Sequence, residues 1–154
     1  MWNNDILFTA VLEQLALGNQ AVLSGTGTSM EPTIHADTDK LVLESVDKLK
    51  LGLICLYRRP CGGFAIHRIH QITAQTVVLV GDNQVKTETV KPADVLAQVA
   101  AIQRGQSRID TTDVAFLTRG YRANKKRLGR FYRRELCYNV VNFPRRILKK
   151  WLKK

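Results

Sequence analysis

Between residues 21 and 102 the chain switches repeatedly between short aliphatic runs and small turn-forming clusters, and this rhythm constrains the fold most. "AVLS", "KLVLES", "GLICLYRR", "FAIHRIHQI", "TVVLV" and "DVLAQVAAI" each read as a strand, with turns at "PCGG", "GDN" and "RGQSR". Short strands at regular spacing predict a mostly β fold, either a strongly coiled sheet or a barrel-like core. Asp5 to Leu17 reads as an amphipathic helix, with Ile6, Val11, Leu12 and Leu15 at helical spacing and Gly18-Asn19 as its stop. From Tyr121 the pattern turns basic and helical. Phe143-Pro144 is expected to break it, with a second helix starting at Pro144. The expected parts are an N-terminal helix (1–20), a β core (21–118) and a basic helical tail (119–154).

Charge follows the same division. Residues 1–118 carry ten basic and twelve acidic side chains, net −2, whereas 119–154 carry fourteen basic residues and one acidic, Glu135, net +13. Such a tail calls for an anionic partner, lipid headgroups or nucleic acid. In "RRILKKWLKK", Ile147, Leu148, Trp151 and Leu152 share one helix side with cations around them, the pattern of a helix lying in a membrane interface. No zinc, RNP or helix-turn-helix signature accompanies the charge, which makes nucleic acid the weaker partner.

The apolar stretch "ILFTAVLEQLAL" is too short to span a bilayer, and no basic segment precedes it as in a secretory signal. The three cysteines, Cys55, Cys61 and Cys137, are odd in number and have no CxxC spacing. They read as reduced thiols of a reducing compartment, with neither a disulfide framework nor a zinc site expected.

The stretch "GTGTSMEPTI", Gly25 to Ile34, sets Ser29 in a loop of small and hydroxyl residues. Glycine there leaves room for substrate backbone and frees N–H groups. A serine needs a base within hydrogen-bond reach and donors facing the developing oxyanion. Position 31 is Glu, so the G-x-S-x-G elbow of parallel α/β hydrolases is absent. In "FAIHRIHQI" the strand period places His67 with Ala65 and Ile69 on one face, and His70 with Phe64, Ile66 and Arg68 on the other. The small and apolar neighbours of His67 would desolvate its imidazole and keep it neutral near pH 7. His35 is close to Ser29 in sequence. Taken singly, each has a plainer reading: Ser29 and Asp82 as turn residues, His67 as a half-buried strand histidine.

In combination, "GTSMEPTI", "LKLGLICLYRR", "FAIHRI" and "VGDNQ" resemble the signal peptidase I and LexA-repressor superfamily of serine peptidases over roughly residues 22–102. The resemblance implies the coiled β fold of that superfamily. It makes Ser29 of the G-x-S-M-x-P box the nucleophile and His67, in His67-Arg68, the base of the endoplasmic-reticulum-type branch. Asp82 of the G-D-N box becomes the third member, with Glu88 and Asp94 as weaker choices. Gly27, Thr28 and Met30 belong to the substrate and oxyanion loop, with the N–H of Ser29 and the backbone near Gly27 as donors. About 20 residues precede the core, so the likeness is to short bacterial members without a membrane anchor or DNA-binding domain.

The expected activity is therefore serine endopeptidase cleavage of peptide, leader or signal segments, with no metal or cofactor, in the cytoplasm and peripheral to the inner membrane face through 143–154. The alternatives are a catalytically silent peptide-binding module, or a nucleic-acid- or membrane-binding protein acting through the tail. The third catalytic member, the substrate, cis or trans cleavage and the oligomeric state stay open.

Overall fold

The computed structural model describes residues 4–151, and side chains over 7–135. The elements run α1 (Asn4–Ala16), β1 (Ala21–Ser24), β2 (Asp39–Glu44), β3 (Ile54–Arg58), β4 (Phe64–Ile72), β5 (Val77–Val80), β6 (Thr87–Val90), a 3-10 turn (Pro92–Asp94), β7 (Val95–Arg104), β8 (Ser107–Asp110) and α2 (Val114–Trp151). The fold is mostly β, with a helix at each end of the sequence. The strands form one antiparallel sheet in the order β1-β2-β7-β3-β4-β5-β6, with β8 added on β7. The sheet stays open: β1 pairs only with β2 and β6 only with β5. The barrel-like alternative is thus not adopted.

Strand β3 shows why the sheet needs cover on both sides. Ile54 and Leu56 enter one core with Val11, Leu23, Leu41 and Val99. Cys55 and Tyr57 enter another with Ile69, Leu79, Val95 and Leu117. Alternating residues fill opposite cores, so the strand reads as a continuous apolar run. Register irregularities at Val42/Leu43, Leu56/Tyr57 and Ile69/Gln71 add local bend and twist.

Two strands escape the sequence pattern. Thr87–Val90 and Ser107–Asp110 are short and largely polar, and both pair on one side only. Helix α2 also starts earlier than Tyr121. The Asp113 carboxylate accepts the Phe116 N–H at 3.0 Å, and its carbonyl accepts the Leu117 N–H at 2.9 Å, the satisfied donors of a helix start. Pro144 does not end the helix, which runs on to Trp151. A proline keeps helical φ but lacks the N–H donor and crowds the carbonyl four residues back, a local cost that leaves the helix on either side of Pro144 in place.

The first turns of α2 belong to the body. Leu117, Asn124 and Leu128 are buried, and Arg68 of β4 lies against the helix, its Cζ 5.5 Å from the Phe116 ring centre. Gly120 makes that approach possible, since a Cβ there would sit 2.3 Å from the Arg68 Cζ and Nη1. Among the described residues no helix is long and apolar enough to cross a membrane.

Candidate active site

The loop after β1 is anchored by the residues that follow Ser29. Met30 and Ile34 are buried in the first core, and the Met30 carbonyl accepts the N–H groups of Thr33 and Ile34 at 2.9 and 3.0 Å. Ser29 is half-buried and lines a cleft of about 760 Å³ together with Gly25, Gly27 and Met30. Thr28 lies just outside it, exposed, its carbonyl accepting the Glu31 N–H at 3.2 Å. Among the described residues, the backbone N–H groups of Gly27 and Ser29 have no protein acceptor. They remain able to donate to a ligand in the cleft.

The Gly81-Asp82-Asn83 turn holds this loop, and Asn83 lines the same cleft. The Asn83 N–H donates to the Ser29 carbonyl at 2.8 Å, and its side-chain amide donates to the Thr28 carbonyl at 3.3 Å. A Cβ on Gly81 would stand 2.5 Å from the Ser29 carbonyl oxygen, so only glycine lets the two backbones meet. Asp82 works one step further out. Its carboxylate accepts Arg68 Nε at 2.8 Å, Arg68 Nη2 at 2.7 Å and the Asn124 amide at 3.0 Å, besides the Thr33 hydroxyl. Arg68 spends its third nitrogen on the Gly52 carbonyl at 2.7 Å. This ion pair is almost wholly buried, with the side chains 1% and 7% exposed.

His67 is buried at 5% exposure and lines the same cleft as Ser29. Asp82, expected as its orienting partner, is engaged elsewhere. Neighbouring strand residues face opposite sides, and the turn carrying Asp82 meets the side of Arg68. The hydrogen-bond partner of His67 is Tyr57, whose hydroxyl lies 2.8 Å from Nδ1. In the β3–β4 register Tyr57 faces Ala65, which makes it the diagonal, same-face neighbour of His67. Tyr57 in turn donates to Glu88 Oε2 at 3.0 Å. Arg59 clamps Glu88 with two bonds, Nε to Oε2 at 3.1 Å and Nη2 to Oε1 at 2.5 Å. Glu88 was a weaker alternative on sequence, whereas Tyr57 and Arg59 read only as members of a buried strand. Their i, i+2 spacing suits one side of an extended run through β3 and the residue after it, but naming them needed the cross-strand register.

Electrostatics follow the burial. Desolvation lowers the pKa of His67 below the usual histidine value, while the Glu88 charge pulls it partly back. The Arg59 clamp holds Glu88 below the usual carboxylate range. Burial, and then the Glu88 charge, push Tyr57 above its ordinary value, so its proton stays on. No hydrogen bond joins the Ser29 and His67 side chains among the described residues. Catalytic bonds are often open before substrate arrives.

The other candidates lie away from the cleft. His70 stacks on Tyr121, ring centres 5.7 Å apart, with its Nδ1 buried and unpartnered. His35 is exposed; its backbone N–H donates to the Asp39 carboxylate at 2.8 Å and its carbonyl accepts the N–H groups of Thr38 and Asp39 at 3.3 and 2.9 Å, while its imidazole makes no hydrogen bond among the described residues. Asp94 faces Arg58 at 3.9 Å. Cys55 is buried and Cys61 exposed, both as free thiols; Cys137 and the tail residues 143–154 carry side chains outside those described. No group of three or more His, Cys, Asp or Glu side chains among the described residues could hold a metal ion. Comparison with protein-family models, curated proteins and solved structures returned no match.

Proposed function

We propose that this protein is a serine endopeptidase of the signal-peptidase and LexA-like kind, with Ser29 as nucleophile and His67 as general base. One observation carries the reading: Ser29 and His67, brought from separate elements, line a single cleft, and the Nδ1 of His67 is already engaged by Tyr57. The remaining nitrogen, Nε2, takes the Ser29 proton as Oγ attacks the scissile carbonyl. The oxyanion is received by the free N–H groups of Ser29 and Gly27. His67 then protonates the leaving amine, and water repeats the sequence on the acyl-enzyme, returning Ser29 to its hydroxyl form.

The resemblance supplies the substrate class: an extended peptide with small residues before the cut, such as a leader or signal segment. Placement on the cytoplasmic face of a membrane, through the tail, is part of the same proposal. It is supported by the exposed basic residues Arg119, Arg122, Lys125, Lys126, Arg130 and Arg133 on α2.

The test is cleavage of peptides spanning small-residue leader junctions, followed by mass spectrometry. Ser29→Ala should lower turnover on the order of 10⁴–10⁶-fold. Retention of more than about a tenth of the wild-type rate overturns the peptidase reading. Binding of those peptides without cleavage by the wild type favours a silent peptide-binding module.

A further inference from the structure

We propose that Glu88, acting through Tyr57, is the positioning residue that fixes the tautomer of His67, and that Asp82 instead braces the Ser29 loop. The catalytic consequence rests on the peptidase reading; the tautomer itself does not.

The proton count leaves one arrangement. Glu88 is held by both nitrogens of the Arg59 fork, and an ionised carboxylate only accepts. Tyr57 has a single proton and donates it to Glu88 at 3.0 Å. Its oxygen is therefore left as an acceptor towards His67 Nδ1 at 2.8 Å. The neutral imidazole must then carry its proton on Nδ1 and its lone pair on Nε2. That is the form a base facing the cleft requires. The same Nδ1–H bond survives when the ring becomes imidazolium, and the Glu88 charge, relayed by the phenol, favours that state. The chain Arg59–Glu88–Tyr57–His67 does the work a directly bonded carboxylate does in other serine peptidases.

Asp82 has no comparable link to His67. Its oxygens are taken by Arg68, Asn124 and Thr33, and the turn it belongs to holds the Ser29 carbonyl through Asn83. The two carboxylates that sequence left as rivals thus have separate duties. One sets a proton on the base; the other sets the position of the nucleophile.

The experiment is nitrogen-15 NMR of the imidazole side chains of the full chain at neutral pH, with His67 assigned by loss of its signals in His67→Gln. No substrate is needed, so the result holds whether or not the peptides are cleaved. The wild type should show the Nδ1–H tautomer for His67. In Glu88→Gln the amide can donate to the Tyr57 oxygen, releasing the phenol proton towards Nδ1, so the tautomer should shift to Nε2–H. Tyr57→Phe, which keeps the buried ring, should lose the fixed Nδ1–H form. In peptide assays Glu88→Gln should lower kcat by about 10²-fold or more with KM nearly unchanged. Asp82→Asn should leave the His67 tautomer as in the wild type. An Nε2–H tautomer in the wild type, or an unchanged Nδ1–H tautomer in a folded Glu88→Gln protein, overturns the proposal. If Tyr57→Phe fails to fold, the partly exposed Glu88 site still decides it.

Discussion

Single side chains set the protonation behaviour of the candidate site, and His67 is the one that titrates nearest neutral pH. Burial disfavours the imidazolium more than Glu88 restores it, so the folded pKa lies below the ordinary histidine value. In the proposed role the imidazole must be neutral to take a proton. The acid limb of a kcat/KM profile should therefore fall below pH ~6.5, the usual histidine range, and activity should persist at lower pH than for an exposed histidine. A limb rising only above pH ~9 would assign the base to a lysine. His67→Ala should cost as much as Ser29→Ala, and the double variant little more, because the two act as a unit. Stability carries the same sign. His67 and His70 both have lowered pKa values, burial being the first cause for each and Lys125 and Arg127 adding to it for His70. Between the folded and unfolded values the unfolded chain binds more protons. The stabilisation is present above the ordinary histidine pKa and is lost as pH falls below it. Thermal melts should show a falling Tm over that interval, and His70→Gln, which removes one titrating group, should flatten the slope.

Among the elements, α2 and β4 depend on one another through Arg68, and two glycines of the same helix separate that dependence from helix propensity. A glycine inside a helix costs ~1 kcal/mol relative to alanine. Gly129→Ala adds a Cβ that meets nothing within 4 Å beyond its own helix backbone, and denaturant melts should show it stabilised by about that amount. Gly120→Ala should go the other way. Its Cβ would meet a guanidinium that cannot swing aside without breaking the buried pair with Asp82, and overpacking of this kind costs ~1–3 kcal/mol. Equal stabilisation of both variants would show that Arg68 is free to move. The same two elements mark what sequence could carry. β4 was legible to its end residues, because "FAIHRIHQI" is a run rich in isoleucine, phenylalanine and histidine bounded by a "PCGG" turn on its N-terminal side. β6 was not, because "TETV" has only one buried residue and owes its strand form to pairing with β5. Ser29 and His67 could be singled out locally. The partner of His67 could not, since Tyr57 and Glu88 reach it only through the β3–β4 and β5–β6 registers. Asp82 sat in a recognisable turn, yet the face of β4 it meets depends on how that turn folds back.

Across the whole molecule the decisive asymmetry is one of charge and cover. The last buried residue on the described part of α2 is Leu128, and every described position from 129 to 135 is exposed. The helix continues to Trp151; at 1.5 Å per residue its 38 residues extend ~57 Å. Along that length Arg and Lys outnumber the single Glu135. The sequence ends with Ile147, Leu148, Trp151 and Leu152 at helical spacing among six cations. Each basic residue near an anionic leaflet contributes ~1 kcal/mol, screened within a Debye length. A helix anchored to the body at Gly120 and Asn124 and exposed over 129–135 would hold the cleft close to the surface it binds, so membrane-associated peptides would reach Ser29 without the protein crossing. Flotation tests this with full-length protein and a form ending at Asn142, on anionic and neutral vesicles at low and high salt. Full-length protein should float with anionic vesicles only and detach as salt rises, and the shortened form should bind more weakly. Equal flotation of both forms, or none by either, removes the membrane role. Retention of the full-length protein by single-stranded nucleic acid in its place would assign the cations to that partner.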